Sequence, residues 1–289
     1  MIGENAADRV LKVGLTQWHA TRDVARNTDL ACRAVAETAA AGARLVLLPE
    51  NGLMLGTNAE MREAAFAEDS PEILRLSGLA REHGVTVVLG GMKNRTPDGV
   101  FNSALILGPD GTVRGRYDKI HLFDARVGGT SFEASGVERA GAGPVLLDVD
   151  GVRVAVTICY DLRFPELYRA AAAAGAEVLL VPAAFTRITG EAHWEVLLRA
   201  RAIENGAFVV ASATVHGADP NADAFATYGH ALAVGPWGEV LADLGDDRAV
   251  WRVVDLDMTE VARARTTLAV LRQRRPDAYA AEPRVVAVR

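Results

Sequence analysis

The chain contains only two cysteines among its 289 residues, Cys32 and Cys159. Two cysteines are too few for a disulfide framework or for a zinc site built on thiolates. The six histidines are dispersed, with no spacing that is typical of a metal site. Glycine-rich phosphate-binding loops are missing as well. We therefore expect free thiols, no bound metal and no cofactor.

Long uncharged apolar runs are also absent. The most apolar stretch, Leu167 to Phe185, is interrupted by Arg169, Glu177 and Pro182, whereas a membrane span needs about 20 nearly uncharged residues. Basic residues are scattered and the formal net charge is -6, so the sequence indicates no surface for nucleic-acid phosphates. Neither a membrane nor a nucleic acid is expected as a partner.

The segment from Met1 to Lys12 carries charges and lacks the apolar region of a secretory signal. This composition predicts a cytoplasmic protein. No linker, low-complexity segment or internal repeat divides the rest of the chain. We expect a flexible N-terminal segment over 1–10, a single domain over 11–280 and a C-terminal tail over 281–289.

Apolar sequence is abundant: 50% of the residues are hydrophobic, and short β-rich runs alternate with helical stretches. Leu45 to Leu48 is a continuous apolar run, typical of a strand buried on both faces. The turns Pro109-Asp110-Gly111 and Asp150-Gly151 each separate two strand-like segments and predict hairpins. Crossover units and hairpins in one chain predict an α/β protein with mixed sheets.

Helical patterns and capping residues predict several helices of ordinary length. The second begins at Ser70-Pro71 and ends at Gly84, as a helix with a glycine C-cap would. The other predicted elements used below are helices over Thr28 to Ala41, Pro165 to Ala174, Ala192 to Asn205 and Thr259 to Arg274, and one strand over Phe208 to Ala213.

Cys159 stands where the apolar strand Val152 to Ile158 ends and a charged segment begins, ahead of a helix. A thiol at the carboxyl end of a strand and near a helix N-terminus feels a positive potential, which favours the thiolate. The alternative is a buried cysteine that packs as a small hydrophobe. Position alone does not decide between a nucleophile and a core residue.

Glu50 closes the buried run that starts at Leu45, so a carboxylate emerges where a crevice is expected and could act as a general base. A solvated glutamate or an arginine pair is the alternative. Lys119 is uninformative by itself. His121 or His193 could pair with the cysteine as in papain-like proteases, but neither stands in the sequence context that such enzymes need.

Three segments taken together resemble the signature motifs of the nitrilase superfamily of carbon-nitrogen hydrolases. They are Leu45-Val46-Leu47-Leu48-Pro49-Glu50, Tyr117-Asp118-Lys119-Ile120-His121-Leu122-Phe123-Asp124 and Ile158-Cys159-Tyr160-Asp161-Leu162-Arg163-Phe164-Pro165-Glu166-Leu167-Tyr168. Their order, Glu then Lys then Cys, matches too, and the likeness runs from about Val13 to Tyr279. The resemblance implies one carbon-nitrogen hydrolase domain over 11–280, a four-layer αββα sandwich and a homodimer.

Further segments look like the Nit branch of this superfamily, the amidases of deaminated glutathione and of ω-amides of 2-oxo acids. They are Phe123-Asp124, Arg163-Phe164-Pro165-Glu166, Thr189-Gly190-Glu191-Ala192-His193-Trp194-Glu195, Arg199-Ala200-Arg201-Ala202, Gly229-His230 and Pro236-Trp237-Gly238. The resemblance implies an amidase that releases ammonia from a small carboxylated amide, with the amide and water as its partners.

The resemblance also assigns roles. Glu50 takes the thiol proton, Cys159 attacks the amide carbon to form a thioester, and Lys119 stabilises the oxyanion together with the backbone N–H of Tyr160. A second glutamate usually holds the lysine and the substrate, and Glu133 is carried over to that role. The sequence departs from the pattern here: Val127-Gly128-Gly129 replaces Val-Pro-Gly, and Ala134-Ser135 follows Glu133 where a serine alone is expected.

A carboxylated substrate needs an arginine or a backbone anion site. Arg187, which follows a predicted strand end, is the preferred candidate, and Arg163 is expected instead to pair with Glu166 or Asp161. His193 is assigned to the substrate pocket, with anchoring of the long helix as its alternative role.

Two other functions stay open on the sequence. Nitrile hydrolysis and N-carbamoyl amino acid hydrolysis use the same catalytic residues in this superfamily. A non-catalytic binding or scaffold protein with the same fold is the other alternative, against which the presence of Glu50, Lys119 and Cys159 argues.

Overall fold

The computed structural model of the protein describes residues 9–219, 223–283 and 285–287. Most of the predicted N-terminal segment, residues 1–8, lies outside the described residues, and so do residues 284, 288 and 289 of the predicted tail. No helix in the described ranges is long and apolar enough to cross a bilayer.

The described chain forms strands and helices in alternation. The strands are β1 Val10–Trp18, β2 Leu45–Leu47, β3 Thr86–Thr96, β4 Gly99–Leu107, β5 Val113–Asp118, β6 Asp124–Val127, β7 Thr130–Glu133, β8 Val145–Val149, β9 Val152–Val156, β10 Val178–Leu180, β11 Phe208–Ala211, β12 Ala213–Thr214, β13 Leu232–Val234, β14 Val240–Asp243 and β15 Ala249–Asp257. The helices are α1 Val24–Ala40, α2 Asn58–Glu63, α3 Pro71–His83, α4 Pro165–Ala173, α5 Arg187–Asn205, α6 Met258–Thr267 and α7 Pro276–Tyr279, with 3-10 helices at Ala134–Gly136 and Cys159–Arg163.

Two mixed sheets carry the fold. The first has the order β12-β1-β2-β3-β4-β5, with β15 also paired to β1, and the second has the order β14-β13-β11-β10-β9-β8. Parallel pairs such as β2 with β3 and β9 with β10 lie beside antiparallel pairs such as β4 with β5 and β8 with β9. This mixture confirms the predicted fold class. A separate hairpin, β6-β7, was not predicted.

The short strand β2 shows why the layers form. Its residues are all apolar, so both faces of the strand must be covered. Leu45 and Leu47 pack in the core shared by the two sheets, whereas Val46 and Leu48 pack in a second core with residues of α1 and α3. Successive side chains of a strand point to opposite faces of the sheet. The apolar run from Leu45 to Leu48 therefore contacts the second sheet on one face and the helices on the other.

The stretch predicted as one strand, Phe208 to Ala213, is divided between the two sheets. β11 pairs with β10 in the second sheet and β12 pairs with β1 in the first. Ser212 lies at the crossing, where its hydroxyl accepts from Thr16 N at 3.0 Å and donates to Leu47 O at 2.8 Å. The chain thereby links the sheets through a buried, fully hydrogen-bonded residue.

Helix bounds differ from the predicted ones where tertiary packing overrides local propensity. α5 begins at Arg187, five residues before the predicted start at Ala192, although it includes Gly190. Gly190 is needed because a Cβ there would lie 2.2 Å from the Tyr228 ring. α6 ends at Thr267 rather than at Arg274, since its last buried side chain is Ala264.

Candidate active site

The three predicted catalytic side chains meet where strands of both sheets end. Glu50 follows β2, Lys119 follows β5 and Cys159 follows β9, and each residue is at most 9% exposed. Lys119 Nζ donates to Glu50 Oε1 at 2.9 Å. Because these strand ends face one another across the sandwich, residues 69 and 109 positions away from Glu50 along the chain reach one site.

Glu50 is held by three hydrogen bonds from three different elements. Besides Lys119, Asn102 Nδ2 of β4 donates to its Oε1 at 3.0 Å, and Ala184 N, beyond β10, donates to its Oε2 at 2.8 Å. Burial by itself would raise the pKa of Glu50, but the Lys119 charge, these bonds and an interaction with the Cys159 thiol lower it overall. Glu50 is therefore a carboxylate in the resting site.

Lys119 and Cys159 both have raised pKa values, and burial acts on them in opposite directions. Burial opposes the Lys119 ammonium, yet the negative charges of Glu50 and Glu138 help to outweigh it and raise the pKa of Lys119. Burial and the charge of Glu50 raise the pKa of the Cys159 thiol, against the opposing effect of Lys119. The resting site thus holds a thiol beside a carboxylate and an ammonium, which corrects the expectation that the strand-end position favours a thiolate.

Cys159 lies at a sharp turn between β9 and the 3-10 helix Cys159–Arg163. Its φ is +48°, a left-handed conformation that is uncommon outside glycine, and its N–H donates to Pro182 O at 2.9 Å. The next N–H, that of Tyr160, has no acceptor among the described residues. The turn therefore presents the thiol and one free backbone donor side by side.

The Asp161 carboxylate holds this turn in place through hydrogen bonds. It is fully buried, and its carboxylate accepts from Ile158 N at 2.9 Å and from Tyr117 OH at 2.7 Å. His121 reaches the same carboxylate through its backbone N at 3.1 Å and through Nδ1 at 2.8 Å. Since Tyr117 and His121 flank Lys119, one buried carboxylate ties the lysine segment to the cysteine turn.

Two adjacent glycines let the catalytic groups approach β3. The register of β3 with β4 shifts between Leu89 and Met92. A Cβ on Gly91 would lie 2.6 Å from Asn102 Oδ1 and 2.9 Å from Glu50 Cγ, and a Cβ on Gly90 would lie 2.1 Å from Leu48 O. Any side chain at Gly91 would displace Glu50 from its hydrogen bonds.

A cavity of about 590 Å³, including its open mouth, contains these groups. Its charged or nucleophilic lining residues are Glu50, Lys93, Lys119, Glu138, Cys159 and Arg163. Its aromatic lining residues are Phe123, Phe132, Tyr160, Phe185 and Phe225.

Glu133, the predicted second glutamate, does not line this cavity. It ends β7 and is solvent-exposed, and among the described residues its carboxylate accepts only from Ser131 Oγ, at 3.3 Å. The adjacent Ala134 lines the cavity instead, and the carboxylate is supplied by Glu138, which follows the 3-10 helix Ala134–Gly136. The correction arises because the hairpin β6-β7 turns Glu133 outward, whereas the next turn of chain folds back towards Lys119.

Lys93 is a cavity residue that sequence reasoning missed. It lies on β3, its side chain is 5% exposed, and its Nζ donates to the Glu138 carboxylate, whose side chain is 1% exposed. Nothing in the local pattern around either residue distinguishes it from a surface charge. Asn102 was missed for a similar reason, because a polar residue within a strand is not a recognisable signal.

Of the three residues predicted to bind the substrate, one lines the cavity and two do not. Tyr160 lines the cavity, but Arg187 does not: its side chain is 51% exposed and pairs with Glu191 at 2.8 Å. His193 is also exposed, and it contacts the cavity only indirectly, since its Nδ1 lies 3.2 Å from Arg163 Nη1. These placements correct the expectations for Arg187 and His193, both of which lie on the outward face of α5.

Arg163 is the arginine that reaches the cavity. Its guanidinium lies over the rings of Tyr160 and Phe185, at 5.9 and 5.0 Å from their centroids. It forms no ion pair with a carboxylate of the described chain, contrary to the predicted pairing with Glu166 or Asp161. Within the described residues, no group of three or more histidine, cysteine or acidic side chains lies together as metal ligands would.

Comparison with known proteins agrees with this geometry. Residues 12–266 match the family model of carbon-nitrogen hydrolases. The chain is similar to the chloroplastic omega-amidase of Arabidopsis thaliana, at 37% identity over 92% of this chain and 73% of that protein. It is also similar to the deaminated glutathione amidase of Yersinia enterocolitica, at 38% identity over 81% of this chain and 82% of that protein.

A solved structure shows the same fold. The NitFhit protein of C. elegans superposes with a TM-score of 0.86 and 34% sequence identity over 94% of this chain and 66% of that one. The chain therefore belongs to the carbon-nitrogen hydrolase family, in the Nit branch of the nitrilase superfamily, as its three motifs predicted.

Proposed function

We propose that this amidase hydrolyses small carboxylated amides to a carboxylate and ammonia, through a thioester on Cys159. The observation that carries the proposal is the buried Glu50–Lys119 pair beside the Cys159 thiol on the wall of one cavity. It provides a base, a cation and a nucleophile, which together suit acyl transfer.

In the first step, Glu50 accepts the thiol proton as the sulfur attacks the amide carbon. The raised pKa of Cys159 and the lowered pKa of Glu50 make this transfer unfavourable before attack, so proton transfer and C–S bond formation occur together. The electron pair of the carbonyl moves to oxygen, and the Lys119 ammonium and the Tyr160 N–H stabilise the oxyanion.

In the second step, Glu50 returns the proton to the amide nitrogen, the C–N bond breaks, and ammonia leaves a thioester. Glu50 next takes a proton from water, whose oxygen attacks the thioester carbon. Collapse of the second oxyanion breaks the C–S bond, releases the acid and gives the proton back to the sulfur. One carboxylate thus serves as base, acid and base again, while Lys119 remains protonated.

Glu138 is the residue to which we assign the role first predicted for Glu133. The support is its place on the cavity wall and the electrostatic action of its carboxylate on Lys119. A second carboxylate near the ammonium holds the lysine in position when the substrate displaces water from the site.

Arg163 is proposed to bind the substrate carboxylate. It lines the cavity, its position is fixed by two aromatic rings and by His193, and no protein carboxylate of the described chain neutralises it. Deaminated glutathione and ω-amides such as 2-oxoglutaramate both carry carboxylates that a guanidinium can bind through two hydrogen bonds. His193, which the sequence placed in the pocket, would then act on the substrate only indirectly, by holding Arg163.

Ammonia release from a panel of compounds tests the proposed function. The panel contains deaminated glutathione, 2-oxoglutaramate, an uncharged aliphatic amide, an aliphatic nitrile and an N-carbamoyl amino acid, each incubated with the wild-type enzyme and without enzyme. We expect turnover of the carboxylated amides above all others. Preferred release from the nitrile or the carbamoyl compound would favour those alternative activities, and no release from any compound would favour a non-catalytic protein.

Replacement of Arg163 by methionine tests the substrate assignment. Loss of a charge-assisted hydrogen bond costs about 1.5 to 3 kcal/mol, which corresponds to an increase of roughly 10- to 100-fold in KM for a carboxylated amide. Turnover of an uncharged amide should change little. Arg187→Met is the matched control, since Arg187 lies outside the cavity. Equal KM changes for charged and uncharged amides would contradict the assignment.

A homodimer in the cytoplasm stays a prediction. Large apolar side chains are exposed on α5, namely Ile188, Val196 and Ile203, beside the exposed Trp237, and such a patch supports contact with a second copy. Sedimentation at micromolar concentration tests the dimer, and a monomer would refute it. The location needs cell fractionation, because a similar plant relative is named as chloroplastic.

A further inference from the structure

Lys93 and Glu138 form a buried ion pair on the wall of the cavity that contains Cys159. Lys93 stands on β3, two residues after Gly91, and Glu138 stands 45 residues later, after the 3-10 helix Ala134–Gly136. Both side chains are at least 95% buried. A pair so far inside the molecule needs a physical reason.

Stability is a poor reason for such a pair. Removing two charges from water costs several kcal/mol per ion, and replacement of a buried pair by apolar residues is often neutral or stabilising. The pair also faces the catalytic groups rather than the apolar core. Its reason is therefore to be sought in the electrostatics of the cavity.

Among the fully buried ionisable side chains that pair on the cavity wall, namely Glu50, Lys93, Lys119 and Glu138, the charges balance only when Lys93 is included. Glu50 and Lys119 neutralise each other at 2.9 Å. Glu138 adds a second carboxylate whose charge also acts on Lys119. Without Lys93, two buried carboxylates would share one ammonium, and the less well hydrogen-bonded one would take up a proton.

We propose that Lys93 is a positioning residue that keeps Glu138 ionised opposite Lys119, so that the catalytic ammonium lies between two carboxylates throughout the reaction. Lys93 itself does not contact the reacting atoms. The inference rests on the proposed function and extends it by one residue, which acts through Glu138 and not through the substrate.

Other ionisable groups near the pair do not substitute for Lys93. Those on the cavity wall are Glu50, Lys119, Cys159 and Arg163, and those on the adjoining strands and loop are Arg95, Arg116, Asp118 and Arg139. Asp118 is paired with Arg116, and Arg95 and Arg139 donate to backbone carbonyls at the surface. Among the described residues, Lys93 alone is hydrogen-bonded to the Glu138 carboxylate.

The test compares Lys93→Met, Glu138→Gln and the double variant with the wild-type enzyme, by kcat and KM for an amide from mildly acidic to mildly alkaline pH. In Lys93→Met the buried Glu138 carboxylate loses its ion-pair partner, which disfavours the ionised form, and the ionised form is the active one. For Lys93→Met we expect kcat to fall about tenfold or more at neutral pH and to recover as pH rises. KM should stay nearly unchanged. Lys93→Arg should restore most of the activity.

The double variant separates this role from a packing role. It leaves no unpaired charge, so it folds even if Lys93→Met does not. Because Lys93 acts only through Glu138, the double variant should match Glu138→Gln in kcat and should show no additional pH dependence. A kcat far below that of Glu138→Gln, or a pH-independent loss in Lys93→Met, would overturn the proposal. So would a large rise in KM with kcat unchanged, since Lys93 would then contact the substrate.

Thermal unfolding provides a readout that needs no substrate. In Lys93→Met the buried Glu138 carboxyl has lost its ion-pair partner, so its protonated form is favoured in the folded state; the native state then binds more protons than the unfolded state, and its stability falls as pH rises above the ordinary glutamate range. The double variant lacks this group and should show no such fall. Identical pH dependence in both variants would refute the inference even if no amide in the panel were a substrate. An inactive wild-type enzyme would instead count against the proposed function.

Discussion

Replacement of Cys159 by alanine is expected to reduce ammonia release to the uncatalysed rate. No other described thiol lines the cavity, and without the sulfur no thioester forms. The loss should be at least about 10,000-fold in kcat, as for other nucleophiles that act together with a base. Steady-state ammonia release from the best substrate of the panel measures it.

Cys32→Ala is the matched control for that variant. Cys32 lies on α1, outside the cavity, and is partly buried, so its loss should leave kcat and KM unchanged. The two variants remove the same atom from the two cysteines of the chain. Full activity of Cys159→Ala, or an equal loss in both variants, would exclude Cys159 as the nucleophile.

Replacement of Glu50 by glutamine is expected to lower kcat roughly 100- to 10,000-fold, the usual contribution of a general base. Glutamine keeps the shape of the side chain but cannot take the thiol proton. The variant also leaves the Lys119 ammonium without its nearest carboxylate, which costs about 3 to 5 kcal/mol of stability. Thermal unfolding at neutral pH should therefore accompany the kinetic measurement.

The pH dependence separates the loss of the base from the loss of stability. The pKa of Glu50 is lowered from its ordinary value of 4.5, so wild-type activity should persist as pH falls and should decline only below that value. The ionised group stabilises the fold above its unfolded pKa, and this contribution is lost as pH falls through the lower folded pKa. In Glu50→Gln the acidic decline assigned to this group should disappear.

Glu133→Gln is the matched control for the carboxylate variants. Glu133 is exposed and outside the cavity, so its amide should leave kcat and the pH profile unchanged, whereas Glu138→Gln should reduce kcat. A large kinetic effect of Glu133→Gln together with none of Glu138→Gln would restore the assignment made from the sequence alone.

The arrangement of thiol, carboxylate and ammonium has a consequence for reactivity. A buried thiol with a raised pKa is not a free thiolate at neutral pH, so it is protected from the oxidants and electrophiles that attack thiolates. The Glu50 carboxylate is nevertheless adjacent and ready to remove the proton when an electrophilic carbon enters. Reactivity is thus confined to ligands that fill the cavity.

The amino-acid sequence by itself predicted the mixed α/β fold, and it indicated the residues proposed as nucleophile, base and oxyanion donor. These features are local: an apolar run predicts a buried strand, and the residue after that run stands at the strand end whatever the rest of the chain does. Glu50 and Cys159 are both of this kind. The ordered motifs added Lys119, which no local pattern distinguishes from a surface lysine.

Only the tertiary structure decided which charges share the cavity with them. Whether Glu133 or Glu138 faces Lys119 depends on how the hairpin β6-β7 turns, and the role of Lys93 depends on a partner 45 residues away. Arg163, rather than Arg187, reaches the substrate space because Arg187 lies on the solvent-facing side of α5, where it pairs with Glu191. The protonation state of Cys159 is decided in the same way, since burial and neighbouring charges are properties of the packed molecule and not of a segment.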